Sequence, residues 1–169
     1  MAIYFGGSRS QSHPQVPAVV AAVVASGQVV HVGCQLGADA QVISVCPASS
    51  LVVFAVAPQQ SAPLHVLACP RVVFSAGGSS APIPARYLLR SIAAFQGCEA
   101  AVFFMPGPGS LAVAREFAKT RQPIFAFSEQ APAPIAGSRG KWCIAWFHGF
   151  QCWGWGYLPE PTEKQMSFI

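Results

Sequence analysis

Three short stretches of this chain bring together glycine, serine and charged residues in the pattern that anion binding requires. Phe5-Gly6-Gly7-Ser8-Arg9-Ser10 comes first, Gly33-Cys34-Gln35-Leu36-Gly37-Ala38-Asp39 second, and Pro106-Gly107-Pro108-Gly109-Ser110 third. Each ends an apolar run and leads into a helical stretch. A helix start offers unpaired backbone N–H groups and the positive end of the helix dipole, which together attract a negative group. Glycine lets that group approach the backbone, where a Cβ would obstruct it. One glycine turn often does no more than cap an element. Three of them, with hydroxyls at Ser8, Ser10 and Ser110, favour a phosphate site built from Gly6, Gly7, Gly33, Gly37, Pro106, Gly107 and Gly109.

Cations stand near these turns. Arg9 belongs to the first, and Arg86 and Arg90 are four residues apart, on one face of a helix. Arginine is the natural forked partner of a phosphate; the plainer reading is that either residue solvates a helix face. Asp39 is the one acid in the motif region, and three roles are open to it: contact with a ribose hydroxyl, a base, or a cap for the helix beginning beside it.

These residues need a scaffold that presents them together. Short β-branched runs alternate with helical stretches, which is the signature of a parallel sheet with crossover helices. Strands are expected at residues 2–5, 28–32, 51–57, 71–75, 100–105 and 123–128. Helices are expected at 14–26, as a short stretch after Asp39 to about 45, at 83–96 and at 110–120, with a short helical segment at 64–69 and a turn at 77–82. The fold class is therefore α/β: a Rossmann-like, open, mostly parallel sheet with helices on both faces. In such sheets ligands bind outside the carboxyl ends of the strands, near the topological switch. Residues 142–157 are crowded with aromatics and read as an extension packed on the sheet.

At 169 residues the chain suits one domain, with a core over 3–128 and an aromatic C-terminal extension over 141–158. It is 53% apolar and only 9% charged, against about 25% charged in an ordinary globular protein. So few charges leave apolar surface, and a homodimer is expected. The net charge of +4 is too mild and too scattered for duplex DNA. One aspartate and five glutamates supply little material for paired-carboxylate catalysis. The six cysteines lie singly in apolar segments, no secretory signal precedes them, and no apolar run approaches a membrane span. They read as reduced core residues of a cytoplasmic protein without a membrane segment. The four histidines lack metal-ligand spacing, so neither a metal nor another cofactor is expected. A Walker loop fails for want of its lysine, and neither G-x-S-x-G nor H-E-x-x-H occurs.

The three motifs, in this order and spacing, resemble the SLOG superfamily over residues 3–128. That group includes the DNA-processing protein A core, the Lonely Guy phosphoribohydrolases and nucleotide-sensing domains. The resemblance implies a Rossmann-like sheet, a glycine loop that binds phosphate, and frequent dimers. Its members differ in activity. The phosphoribohydrolase pattern Pro-Gly-Gly-x-Gly-Thr-x-x-Glu has Ser110 here at the threonine position and Val113 at the glutamate position. Glu116 lies six residues past Ser110, about 9 Å further along a helix and on another face. N-glycoside hydrolysis thus lacks its expected carboxylate, and the reading leans away from an enzyme. The Arg-Asn-Arg signature of DNA-processing protein A is replaced around Arg86-Tyr87-Leu88. The aromatic tail, with Trp142, Trp146, Trp153 and Trp155, reads as a cover on the sheet or on a second subunit, or as a base-stacking surface beside Arg139 and Lys141. The expected function is capture of a nucleotide-derived small molecule, ADP-ribose-like or a cyclic nucleotide. A phosphoribohydrolase-like activity and single-stranded nucleic-acid binding are the alternatives.

Overall fold

Residues 2–7 alternate in a way that commits both faces of the first strand to the interior. In β1 (Ala2–Gly7), Ile3 and Phe5 join one buried cluster and Tyr4 joins the other. Such two-sided burial belongs to a strand with helices above and below it. The computed structural model describes residues 1–56, 66, 68–75 and 80–159. After β1 come α1 (Val16–Ala25), β2 (Val29–Val32), α2 (Ala38–Val45), β3 (Leu51–Val56) and β4 (Val72–Ser75). Then follow α3 (Ile83–Phe95), β5 (Ala100–Phe104), α4 (Pro108–Ala118), β6 (Ile124–Phe127), β7 (Lys141–Phe147) and β8 (Cys152–Leu158). Of the expected helical segment at 64–69 and the turn at 77–82, residues 64, 65, 67 and 77–79 lie outside the described residues.

The strands form one sheet in the order β4-β3-β2-β1-β5-β6-β8-β7. The first six are parallel, and β8 and β7 add antiparallel at the β6 edge. This is the α/β, mostly parallel, Rossmann-like architecture that the alternation implies. The chain runs outward from β1 to β4, then returns to β5 beside β1 and runs outward the other way. Right-handed crossovers in opposite directions must lie on opposite faces. Accordingly α1 and α2 bury Val16, Val19, Val20, Val23 and Val42 against one side. Helices α3 and α4 bury Ala94, Phe95, Val113, Ala114 and Phe117 against the other.

Helices α1, α3 and α4 each carry proline in the first turn, where no intrahelical N–H is needed. The expected start of α1 at residue 14 moves to Val16, because Pro14 and Gln15 stay in the turn that His13 closes with its carbonyl to the Val16 N–H. Among the described residues no helix is long and apolar enough to cross a membrane. Burial raises the Cys46 thiol to about 11 and the Cys98 thiol to about 12, so both stay protonated as packing groups.

The aromatic tail is an edge hairpin of this sheet rather than a layer laid over it. Phe147 packs edge-on against Phe125 at 4.7 Å and Phe127 at 6.0 Å. A Cβ on Gly154 would come within 2.8 Å of the Phe127 ring, so glycine there admits the ring stack. The indole N–H groups of Trp142 and Trp155 donate to the carbonyls of Ala133 and Ser128. Those bonds tie the preceding loop across the hairpin.

Candidate functional site

Strands β1 and β5 are neighbours, and the order of the sheet reverses between them, which opens a crevice at their carboxyl ends. The turns around this crevice are tied to one another. Ser8 N–H donates to the Phe104 carbonyl, Ala38 N–H donates to the Ser8 carbonyl, and the Ser110 hydroxyl donates to the Gly7 carbonyl at 2.8 Å. The glycines permit this closeness. A Cβ on Gly7 would stand 2.2 Å from the Phe104 carbonyl oxygen, and one on Gly37, at φ +71°, 2.4 Å from that of Ser8. Met105, at the bend after β5, sits at φ 47°, an uncommon conformation for a side chain of its size.

The crevice is a cleft of ≈ 590 Å³, inside the roughly 300–1,000 Å³ usual for small-ligand sites. Tyr4 and Phe103 form its floor. One wall is α3, through Pro84, Tyr87, Leu88 and Ser91; the other is the start of α4, through Pro108, Gly109, Ala112 and Val113. The first glycine turn makes the rim with Arg9, and Asp39 and Arg90 lie on the buried side. Burial pushes the Tyr4 phenol up to about 12, so it remains a neutral hydroxyl.

Two features of this cleft suit an anion. The first is the start of α4. Gly107 caps it without any side-chain hydrogen bond, Pro108 has no N–H, and the first-turn amides of Gly109 and Ser110 follow. A Cβ on Gly107 would meet open space, so the backbone is approachable there. Arg9 is exposed and reaches over this helix start, its Nη2 lying 3.7 Å from where a Gly109 Cβ would be. The second is Arg90, only 4% exposed. Its Nη1 faces Asp39 Oδ2 at 3.7 Å, beyond hydrogen-bond distance. Among the described residues neither Nη1 nor Nε has a hydrogen-bond partner. Buried guanidinium donors left in that condition are costly, so their persistence asks for an acceptor.

Asp39 is itself buried, and it accepts the Gln35 N–H at 3.2 Å. Burial pushes its carboxyl above the ordinary range, against the opposing charge of Arg90. Gly33 makes the pair sterically feasible: a Cβ there would lie 1.5 Å from Arg90 Nη1 and 2.3 Å from Asp39 Oδ2. The Tyr87 ring joins the two cations, with the Arg9 guanidinium 5.5 Å and the Arg90 guanidinium 5.7 Å from its centroid.

Of the residues expected from sequence, Gly6, Gly7, Ser8, Arg9, Asp39, Arg90, Gly107, Gly109 and Ser110 come together around the cleft. Ser10, Gly33, Gly37, Arg86 and Pro106 do not line it. Gly33 and Gly37 act one step behind, by accommodating the ion pair and the first turn. The Ser10 N–H bonds to Ser8 Oγ and its side chain is exposed. Arg86 turns back to donate from Nε to the Ala81 carbonyl, so only Arg90 of that helical pair reaches the cleft. Ser110 lines the cleft with its hydroxyl engaged by Gly7. Tyr4, Gln35, Tyr87, Ser91 and Phe103 were not anticipated. Pro84, Tyr87, Leu88 and Ser91 follow i, i+3, i+4, i+7 spacing, a stripe readable as one helix face. Glu116 pairs with Lys119 and Arg115 and is absent from the lining. None of the aromatic hairpin residues lines the cleft. Among the described residues no three metal-ligating side chains gather.

No family model and no curated protein matches the chain. The fold has a solved counterpart. DNA processing protein A from Helicobacter pylori superposes with a TM-score of 0.62 at 14% identity, over 77% of this chain and 66% of that one. The chain thus spans just under two thirds of that neighbour's length. At such identity the likeness is one of fold. The neighbour's structure was described for its single-stranded DNA binding mode.

Proposed function

We propose that this cleft binds a nucleotide-derived, phosphate-bearing small molecule. The observation that carries the reading is the convergence of two glycine turns, a helix start with no side-chain cap bond and two arginines on one crevice at the strand switch. A phosphate at the α4 start would meet backbone amides and Arg9, while the cleft floor and the Tyr87 wall would take the apolar part of a nucleoside. ADP-ribose-like molecules and cyclic nucleotides fit this description, and a domain with that property would serve as a sensor, carrier or sponge. The SLOG resemblance points the same way.

Binding is favoured over hydrolysis for a specific reason. Val113 lines the cleft at the position where the phosphoribohydrolase pattern places its glutamate. Asp39, the one carboxylate among the lining residues, is buried against Arg90 and the Gln35 N–H. Incubation with AMP, NAD and cyclic AMP, followed by denaturation and chromatography, separates the two. Stoichiometric recovery of unchanged nucleotide supports binding; release of free base that Asp39→Asn abolishes would replace it with catalysis.

A second reading, single-stranded nucleic-acid binding, is favoured by the fold shared with DNA processing protein A. Exposed Trp153 on the hairpin would then stack a base. Oligonucleotide affinity that falls steeply with salt and with Trp153→Ala would establish that reading.

A further inference from the structure

The buried side of the cleft holds more cationic donors than one phosphate group at the α4 start can use. Arg9 and the amides of Gly109 and Ser110 stand at the rim. Arg90 lies deep, with Nε and Nη1 lacking hydrogen-bond partners among the described residues, and its guanidinium and that of Arg9 both stand by the Tyr87 ring. Both guanidinium carbons are within 6 Å of that one ring, so they lie within about 11 Å of each other. We propose that Arg90 is a second, inner anion anchor, so that the ligand carries two linked acidic groups, as a nucleoside diphosphate does, and that Asp39 positions this anchor rather than binding the ligand. This rests on the phosphate-site reading above.

The geometry around Asp39 fits a positioning residue. Its carboxylate would repel a phosphate, and it is occupied on one side by the Gln35 N–H. On the other side it faces the guanidinium at 3.7 Å, an ion pair that holds the cation beside Gly33 while leaving Nε free of it. Gly33 leaves room for that placement, where any Cβ would overlap Nη1. A single phosphoryl group seated at the helix start leaves Nε and Nη1 unused. A pair of linked phosphoryl groups reaches both anchors.

The test uses two probes without a base, inorganic phosphate and pyrophosphate, titrated calorimetrically into the whole chain. Wild-type protein is expected to bind pyrophosphate at least about tenfold more tightly than phosphate. Arg90→Lys keeps a cation beside Asp39 but removes the Nε donor and the fork. It is expected to erase most of that advantage while altering phosphate affinity far less. Asp39→Asn is expected to show the same selective loss, because the guanidinium is no longer held; a general disturbance of the fold would weaken both probes together. The double variant Asp39→Asn/Arg90→Gln leaves no lone buried charge and gives the same readout should the lysine variant misfold. A pyrophosphate advantage that survives in Arg90→Lys and in the double variant overturns the proposal, as does equal weakening of both probes. Failure of wild-type protein to bind either probe would instead overturn the phosphate-site reading itself.

Discussion

Replacing Gly33 by alanine adds one methyl group beside the buried ion pair and should disable it. The added Cβ would lie 1.5 Å from Arg90 Nη1, whereas ordinary contact begins near 3.4 Å, so the guanidinium must retreat by about 1.9 Å. Asp39 Oδ2, at 2.3 Å from the same point, must also move, by about 1.1 Å. Both groups are buried, so neither can turn to water without opening the cleft. Removing one partner of such a pair costs about 3–5 kcal/mol. Displacement keeps both charges present, which brings the expected loss to about 2–4 kcal/mol. For a domain of this size that is a fall in Tm of roughly 5–15 °C. Thermal unfolding followed by circular dichroism measures it, and pyrophosphate titration of the folded variant measures the accompanying loss at the inner anchor. A Tm within about 2 °C of wild type, with pyrophosphate affinity intact, would show that Arg90 is not lodged against Gly33 and would refute the reasoning.

Other perturbations separate stability from binding. Gly107→Ala meets open space and should change stability by less than about 0.5 kcal/mol, yet its Cβ would stand where a phosphate approaches the α4 start, so phosphate affinity should fall by about tenfold in calorimetry. Gly7→Ala places a Cβ 2.2 Å from the Phe104 backbone oxygen, which cannot swing aside, and should leave too little folded protein to show a cooperative melt. Partial burial holds the His13 imidazole below its ordinary value, with Glu129 opposing. The unfolded chain therefore binds the proton more readily, so this contribution to stability is full above about pH 6.5 and is lost as the pH falls through the lower folded value. Urea midpoints should drop between about pH 7.5 and about pH 5.5, and His13→Gln should flatten that dependence.

Much of the fold was legible because its determinants are local. Runs such as Leu51–Val56 and Ala100–Phe104 are continuously apolar and rich in valine and phenylalanine, as suits strands covered on both faces. The prolines at 17, 84 and 108 mark helix starts by chemistry that does not depend on distant partners. The glycine turns were legible as turns, and their convergence followed from the strand switch. What escaped was the division of labour among them. Gly33 and Gly37 look like ligand-contacting glycines, but each instead admits a neighbouring group: the Arg90 guanidinium for one, the Ser8 carbonyl for the other. That distinction depends on contacts between residues dozens of positions apart. Likewise Arg86 and Arg90 are equivalent in a helical pattern, and the bond from Arg86 Nε to the Ala81 carbonyl turns Arg86 away from the cleft. The aromatic hairpin was readable as sheet-associated, while its antiparallel pairing with β6 required the register of Phe125 opposite Gly156.

Capture of a phosphate in this cleft depends most on Arg9 and the α4 start acting together on one negatively charged group. Titration of pyrophosphate into wild-type protein and into Arg9→Ala tests this directly, since Arg9 is exposed and its truncation should leave the fold unchanged. Affinity weakened by at least about tenfold is expected in Arg9→Ala, with the same far-ultraviolet spectrum and Tm. Equal affinity in the two proteins would contradict this dependence on Arg9.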